Sequence, residues 1–225
     1  MVMIRAYILT VGWGSLETSR LPRPRTFDEA EVLDAAVACF WRHGYEATTI
    51  RELTSCMGLS APSLYNAFGD KRALFAKALE RYCQTHTYAL LAKIEASNDA
   101  SQIIPVLFAE VIARTMGDKS RRGCFLINSA LDVAPHDAVQ RRVITKHLRE
   151  IRAFFMRGLL ASRGPSARPG HATIEAEADH LLAVLIGIRV LARSRSEREL
   201  LEGIVHSALS SLDLLSGSPD SSRKT

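Results

Sequence analysis

Apolar residues recur every three or four positions along most of the chain and almost nowhere at every second position. That period belongs to helices; strands would show alternation bounded by turn pairs. Ala30, Leu33, Val37, Phe40 and Trp41 form the first apolar face. Thr26, three residues before Glu29, makes a capping-box pattern that predicts the helix start, and Gly44 stands where the helix should stop. Thr49 and Glu52 repeat the box before a short helix that buries Ile50, Leu53 and Met57 and ends at Gly58. Ser60 is placed to cap a third helix, with Pro62 in its first turn and Leu64 and Phe68 as its inward pair. Gly69 closes that helix, and Asp70 caps a fourth whose face carries Leu74, Phe75, Ala78, Leu79 and Tyr82. The fourth helix is predicted to run on to about Glu95. Longer helices are expected over 101–116, 123–133, 137–163, 173–193 and 197–215. The Gly- and Pro-rich stretch 163–170 reads as a loop, and the polar tail 216–225 as disordered.

Two short helices separated by Gly58-Leu59 have the helix-turn-helix layout. In that motif the second helix enters the major groove by its N-terminal residues. With Leu64 and Phe68 turned inward, Ala61, Pro62, Ser63, Tyr65 and Asn66 face outward, and Ser60 heads the same helix. Such a small, polar surface can approach base edges: Asn66 suits adenine, and Ala61 or Pro62 a thymine methyl. Thr48 or Thr49, at a helix N-terminus, suits a phosphate. Arg51 lies on the polar side of its helix and can add a contact, and Arg20, Arg23 and Arg25 are placed to reach an adjacent minor groove.

Composition changes this picture little. The chain of 225 residues is 47% hydrophobic and 24% charged, with a net charge of +5, which suits a polyanionic partner without requiring one. Cys39, Cys56, Cys83 and Cys124 show no CxxC spacing and no His cluster, the pattern of reduced thiols rather than of a metal site or disulfide framework. The apolar run Ala6–Val11 is too short for a membrane span, and no segment approaches about 18 unbroken apolar residues. Residues 1–24 therefore read as a flexible arm, or as an over-long start, on a soluble cytoplasmic protein with no membrane partner. There is no nucleophile elbow and no metal motif, and nothing obliges Cys124 to meet His147 as a thiol hydrolase would require. Neither an enzymatic activity nor a cofactor is expected.

The stretch AAVACFWRHGYEATTIRELTSCMGLSAPSLYNAFGDKRALFAKALERY resembles the N-terminal domain of the TetR family. The resemblance rests on Gly44-Tyr45, Thr48-Thr49-Ile50, Gly58-Leu59-Ser60, Ser63-Leu64-Tyr65, Phe68-Gly69 and Lys71 in the family's order. It implies an all-α fold: an N-terminal three-helix helix-turn-helix DNA-binding domain (25–85) and a C-terminal helical ligand-binding and dimerisation domain (86–215). It also assigns phosphate contacts to Tyr65 and Lys71. Family relatives often carry His or Arg where Asn66 stands, so the preferred bases should differ. The implied partners are a double-stranded DNA operator of near-palindromic form, a second copy of the chain and a small-molecule inducer. The implied function is ligand- or stress-responsive repression, with activation or binding without sequence preference as alternatives.

The family's dimers pair through the last two long helices. Here 181–188 is apolar nearly all round, and Val205, Leu209 and Leu212 make a stripe on the final helix. The implied ligand site would draw on Phe108, Ile112, Phe125 and Phe154, with Phe155 and Met156 beside them and His86, Asn128 and His147 as polar candidates. The run from Arg121 to Asn128 resembles a subset of regulators that sense electrophiles or oxidants through a cysteine. Cys124 at a helix N-terminus beside Arg121 and Arg122 suits that role, because both effects favour a thiolate.

Overall fold

Asp28, rather than Thr26, starts the first helix. In the computed structural model, which describes residues 27–163, 171–194 and 197–214, helix α1 spans Glu29–His43. The Asp28 carboxylate accepts the backbone N–H of Ala30 at 2.8 Å. Aspartate caps as well as threonine and stands nearer the first turn; Thr26 lies outside the described residues, as do the arm 1–24 with Arg20 and Arg23, Arg25, the loop 164–170 and the tail. α1 buries Val32, Ala36, Val37, Cys39 and Phe40, so its inward face is rotated from the expected one; Leu33 and Trp41 are half-buried.

Helix α2 (Ile50–Met57) opens on a reciprocal box. The Thr49 hydroxyl accepts from the Glu52 N–H at 3.2 Å, and the Glu52 carboxylate accepts the Thr49 N–H at 2.7 Å. The Thr49 N–H, and after it the Thr49 hydroxyl donating to the same carboxylate at 2.9 Å, hold the Glu52 carboxyl below its usual range. Gly58 ends the helix with φ at 64°, a left-handed conformation that glycine adopts without steric cost. α3 (Ala61–Phe68) follows at once, the Ser60 hydroxyl accepting the Ser63 N–H at 3.3 Å. α4 (Lys71–Tyr82) is capped by Asp70, which accepts from Ala73 at 2.7 Å.

The expected unbroken α-helix to Glu95 is corrected. After α4 the rod passes through a π-helical stretch, Cys83–Tyr88, and resumes as α5 (Ala89–Ser97). The wider turn serves tertiary contacts that periodicity cannot register. It buries Cys83 completely and sets the Tyr88 hydroxyl 2.5 Å from Nδ1 of His147.

The remaining helices are α6 (Ile103–Gly117), α7 (Phe125–Asp132), α8 (Ala138–Arg163), α9 (His171–Leu191, closing in a 3₁₀ turn, Ala192–Ser194) and α10 (Arg198–Ser211). α1 lies along α4, α8 along α9, and α10 against α9 and α6. At Gly158 a Cβ would stand 2.7 Å from Ile104 Cγ1, so the missing side chain lets α8 approach α6 closely there. No helix among the described residues is long and apolar enough to cross a membrane.

The N-terminal helices and the body are joined by an aromatic chain. Phe40 meets Phe75 edge-on at 5.1 Å, and Phe75 and Tyr82 each meet Phe125 of α7 at 5.5 Å. The last helices also correct an expectation. Val205 and Leu209 point into the core, and the outward apolar surface of α10 is Leu200 and Ile204, facing Val184 of α9 across an open groove. Leu181, Leu185 and Ile188 are buried while Ala183 is exposed, so 181–188 is covered on one side only.

Candidate nucleic-acid interface and regulatory cavity

α3 is pinned by two residues and free elsewhere. Leu64 and Phe68 are buried, and Phe68 packs against Phe27 at 6.2 Å. Ala61, Pro62 and Asn66 are exposed, and Tyr65 is 48% exposed although aromatic. Ser63 is half-buried, its hydroxyl 2.8 Å from that of Ser60. Arg51 and Thr49 are exposed on the neighbouring helix start. Lys71, at the start of α4, donates from Nζ to Glu46 O at 3.2 Å and lies over the Tyr45 ring at 4.5 Å. Thr48 is corrected: it is completely buried and its hydroxyl donates to Gly44 O at 2.5 Å. A buried hydroxyl with its proton spent inside the fold cannot reach a phosphate. Of the two threonines, only Thr49 lies on the surface.

A cavity of about 330 Å³ lies behind this reader. Of the ten residues singled out from sequence for a ligand, His86 and Cys124 line it. The others do not. Phe108 and Phe154 are completely buried, and Ile112 and Phe125 nearly so; they fill the core, because packing takes most large apolar side chains before a pocket can. Asn128 is held at the α7 start, its Nδ2 donating to Arg122 O at 2.8 Å and its Oδ1 accepting from Arg193 at 3.2 Å. His147 is fully buried against Tyr88, its Nε2 3.2 Å from a Glu80 oxygen but poorly aligned with it. Burial, opposed by the Glu80 charge, pulls its imidazole below the usual histidine range.

Residues that the sequence reading missed complete the wall: Trp41 from α1, Tyr82 and Thr87 from the long rod, Arg114 and Thr115 from α6, and Arg189 from α9. Arg189 left a signal, as the lone charge in the apolar run 181–191; a charge in such a setting needs a reason. Tyr82 stacks on His86 at 4.7 Å and meets Trp41 edge-on at 5.1 Å. The Tyr82 hydroxyl donates to Cys124 Sγ at 3.6 Å, and burial pushes the phenol well up. Burial also lowers the His86 imidazole, with Arg114 and Arg122 acting in the same direction. Cys124 is 8% exposed and caps α7 without a side-chain hydrogen bond to it.

A two-helix reader mounted on a helical body with an internal cavity defines a DNA-binding transcriptional regulator. Residues 32–78 match the family described as "Bacterial regulatory proteins, tetR family". The chain is similar to the uncharacterized HTH-type transcriptional regulator YezE of Bacillus subtilis (strain 168), 30% identical over 192 residues, 85% of this chain and 99% of that relative. It is 28% identical over 189 residues to the HTH-type transcriptional repressor ComR of Escherichia coli (strain K12), covering 83% of this chain and 90% of ComR. Among solved structures it resembles a cysteine mutant of the TetR family transcriptional regulator CifR complexed with double-strand operator DNA. That match has 30% identity, a TM-score of 0.70, and covers 87% of this chain and 100% of that one. The chain belongs to the TetR family, whose named relatives here are regulators and not enzymes.

Proposed function

We propose that this chain is a cytoplasmic, ligand- or stress-responsive repressor that binds a near-palindromic operator as a homodimer. The observation that carries the reading is the outward surface of α3, where Ala61, Pro62, Tyr65 and Asn66 are exposed around two buried anchors. Asn66 reads a base edge, Tyr65, Lys71, Thr49 and Arg51 hold phosphates, and Ser60 and Ser63 keep the helix start close to the groove. One eight-residue helix reads only a few base pairs, so two copies are needed. The groove of Val184, Leu200 and Ile204 between α9 and α10 supports pairing there. The CifR complex with operator DNA supports the binding mode.

Regulation follows from the cavity's position. Its wall takes Trp41 from α1, which packs against α2, and Tyr82 and His86 from the rod that follows α3. A ligand that prefers one setting of these elements shifts the spacing of the two reading helices and releases DNA. Cys124, on the same wall, gives electrophiles or oxidants a second way in: a covalent adduct there occupies the cavity.

Titration against fluorescent DNA from the gene's own upstream region tests the reading. Binding at physiological salt should survive excess random DNA, and Tyr65→Ala should weaken it by at least about tenfold. Affinity shared equally with random DNA would count against operator recognition.

A further inference from the structure

The cavity carries a charge imbalance that the regulator reading does not use. Four arginines and one aspartate contribute to its wall. Asp118 is already engaged, its carboxylate accepting from the backbone N–H groups of Ser120 and Arg122. Arg114 is paired with Glu110 at 2.7 Å. Arg122 lies with its guanidinium 4.2 Å from the Trp41 ring centre and donates to Ser120 Oγ. Arg121 is exposed to solvent. Arg189 is different. It is half-buried, it meets Thr115 Oγ1 at 3.4 Å, and no carboxylate among the described residues pairs with it. A guanidinium taken partly out of water without a counter-charge is costly unless an anion arrives.

Much of the remaining wall is apolar. Leu90, Leu91, Leu107 and Ile151 are buried and line the cavity. The volume lies at the lower end of the range for small-molecule sites, roughly 300–1,000 Å³. We propose that the effector of this protein is a compact organic anion, a carboxylate on an apolar or aromatic body, with Arg189 as its anchor. The planar fork of Arg189 receives the carboxylate bidentately, Thr115 flanks it, and the apolar body lies among the leucines. This rests on the reading that the cavity receives the effector.

Calorimetric titration of the full chain with phenylbutyrate, phenylbutanol and phenylbutylamine tests it, because the three share a body and differ in head-group charge. The acid should bind at least about tenfold more tightly than the alcohol, and the amine most weakly. Arg189→Gln should bring the acid level with the alcohol while leaving the alcohol unchanged, which also shows an intact cavity. Arg189→Lys should keep part of the preference, and Arg198→Gln, an equal loss of charge on exposed α10, should alter neither affinity. An alcohol or amine matching the acid in the native protein, a preference that survives Arg189→Gln, or binding of none of the three at millimolar concentration would each overturn the proposal. The underlying reading fails separately: a probe that binds yet leaves operator affinity unchanged would show that this cavity does not control DNA.

Discussion

Arg72 and Asp137 clasp the reader to the body. Nε and Nη2 of Arg72, in the first turn of α4, each meet one oxygen of Asp137 at 2.6 Å. Asp137 also accepts the N–H groups of Val139 and Gln140 at the start of α8, so one carboxylate caps α8 and ties it to α4. The side-chain amide of Gln140 then donates to Arg72 O at 2.8 Å. Any shift of α4 relative to α8 must break or carry this joint.

The Arg72 guanidinium holds the Asp137 carboxyl down to about 2. A carboxyl whose folded value lies below its unfolded value of about 3.9 contributes its full stability above about pH 4 and loses it as pH falls toward 2. Asp137→Asn keeps a cap but removes the charge. Unfolding midpoints of the two proteins should differ at pH 6 and converge as pH approaches 2. A gap of constant size across that range would show that the pair contributes no charge-dependent stability.

Thr48 and Thr49 should separate stability from DNA affinity. Thr48→Val removes a buried hydrogen bond at little change of shape, costing about 1 kcal/mol, and should leave operator affinity as it was at temperatures where the protein is folded. Thr49→Ala loses the capping box, also about 1 kcal/mol, and should weaken the operator complex as well. Equal losses of affinity in the two variants would contradict the surface role given to Thr49 alone.

Lys71 and Asn66 should fail in different ways. Lys71→Gln should lower the salt dependence of operator binding by about one unit of slope per protomer, uniformly across sequences. Asn66→Ala should instead narrow the gap between the operator and single-base mismatches by about 1–3 kcal/mol at one position of each half-site. Mismatch profiles and salt titrations of both variants check this. Identical profiles would remove Asn66 from base readout.

The four cysteines should react in a set order. Cys56 is exposed and should take up N-ethylmaleimide first. Cys124 is nearly buried but faces the cavity, so it should follow. Cys39, whose thiol burial pushes up to about 12, and Cys83, pushed higher still by burial, should resist in the folded protein. Timed alkylation with peptide mapping gives the order. If Cys124 proves as inert as Cys83, the electrophile-sensing route has no entrance.

What could be read from residues alone was local. The Thr49 and Glu52 box, the Ser60 and Asp70 caps and the stops at Gly44, Gly58 and Gly69 each depend on chemistry within a few positions, and the reader follows from them. Spacing points to Thr26 through Glu29, whereas the helix starts at Asp28, because a carboxylate next to the first turn caps without a partner three residues on. The cavity was hardly legible. Phe125 and Phe154 were plausible walls by type, yet which aromatic fills a core and which borders a void is decided by partners distant in the chain. Trp41 and Tyr82 carried no sign of their cavity-facing place, and Arg189 only its isolation.

The π-helical stretch lets the long rod carry one residue more than a regular helix with the same overall rotation. Residues advance about 100° each around an α-helix, and a π-turn holds roughly one residue more than an α-turn. The stretch Cys83–Tyr88 could therefore lose one residue and close into a regular helix with α5 left nearly in its present setting. The change would be local: the wide turn that carries His86 and Thr87 to the cavity wall and the Tyr88 hydroxyl to His147 would be drawn in. A single codon lost there would remake one patch of the cavity while the recognition helix and the helices beyond kept their places.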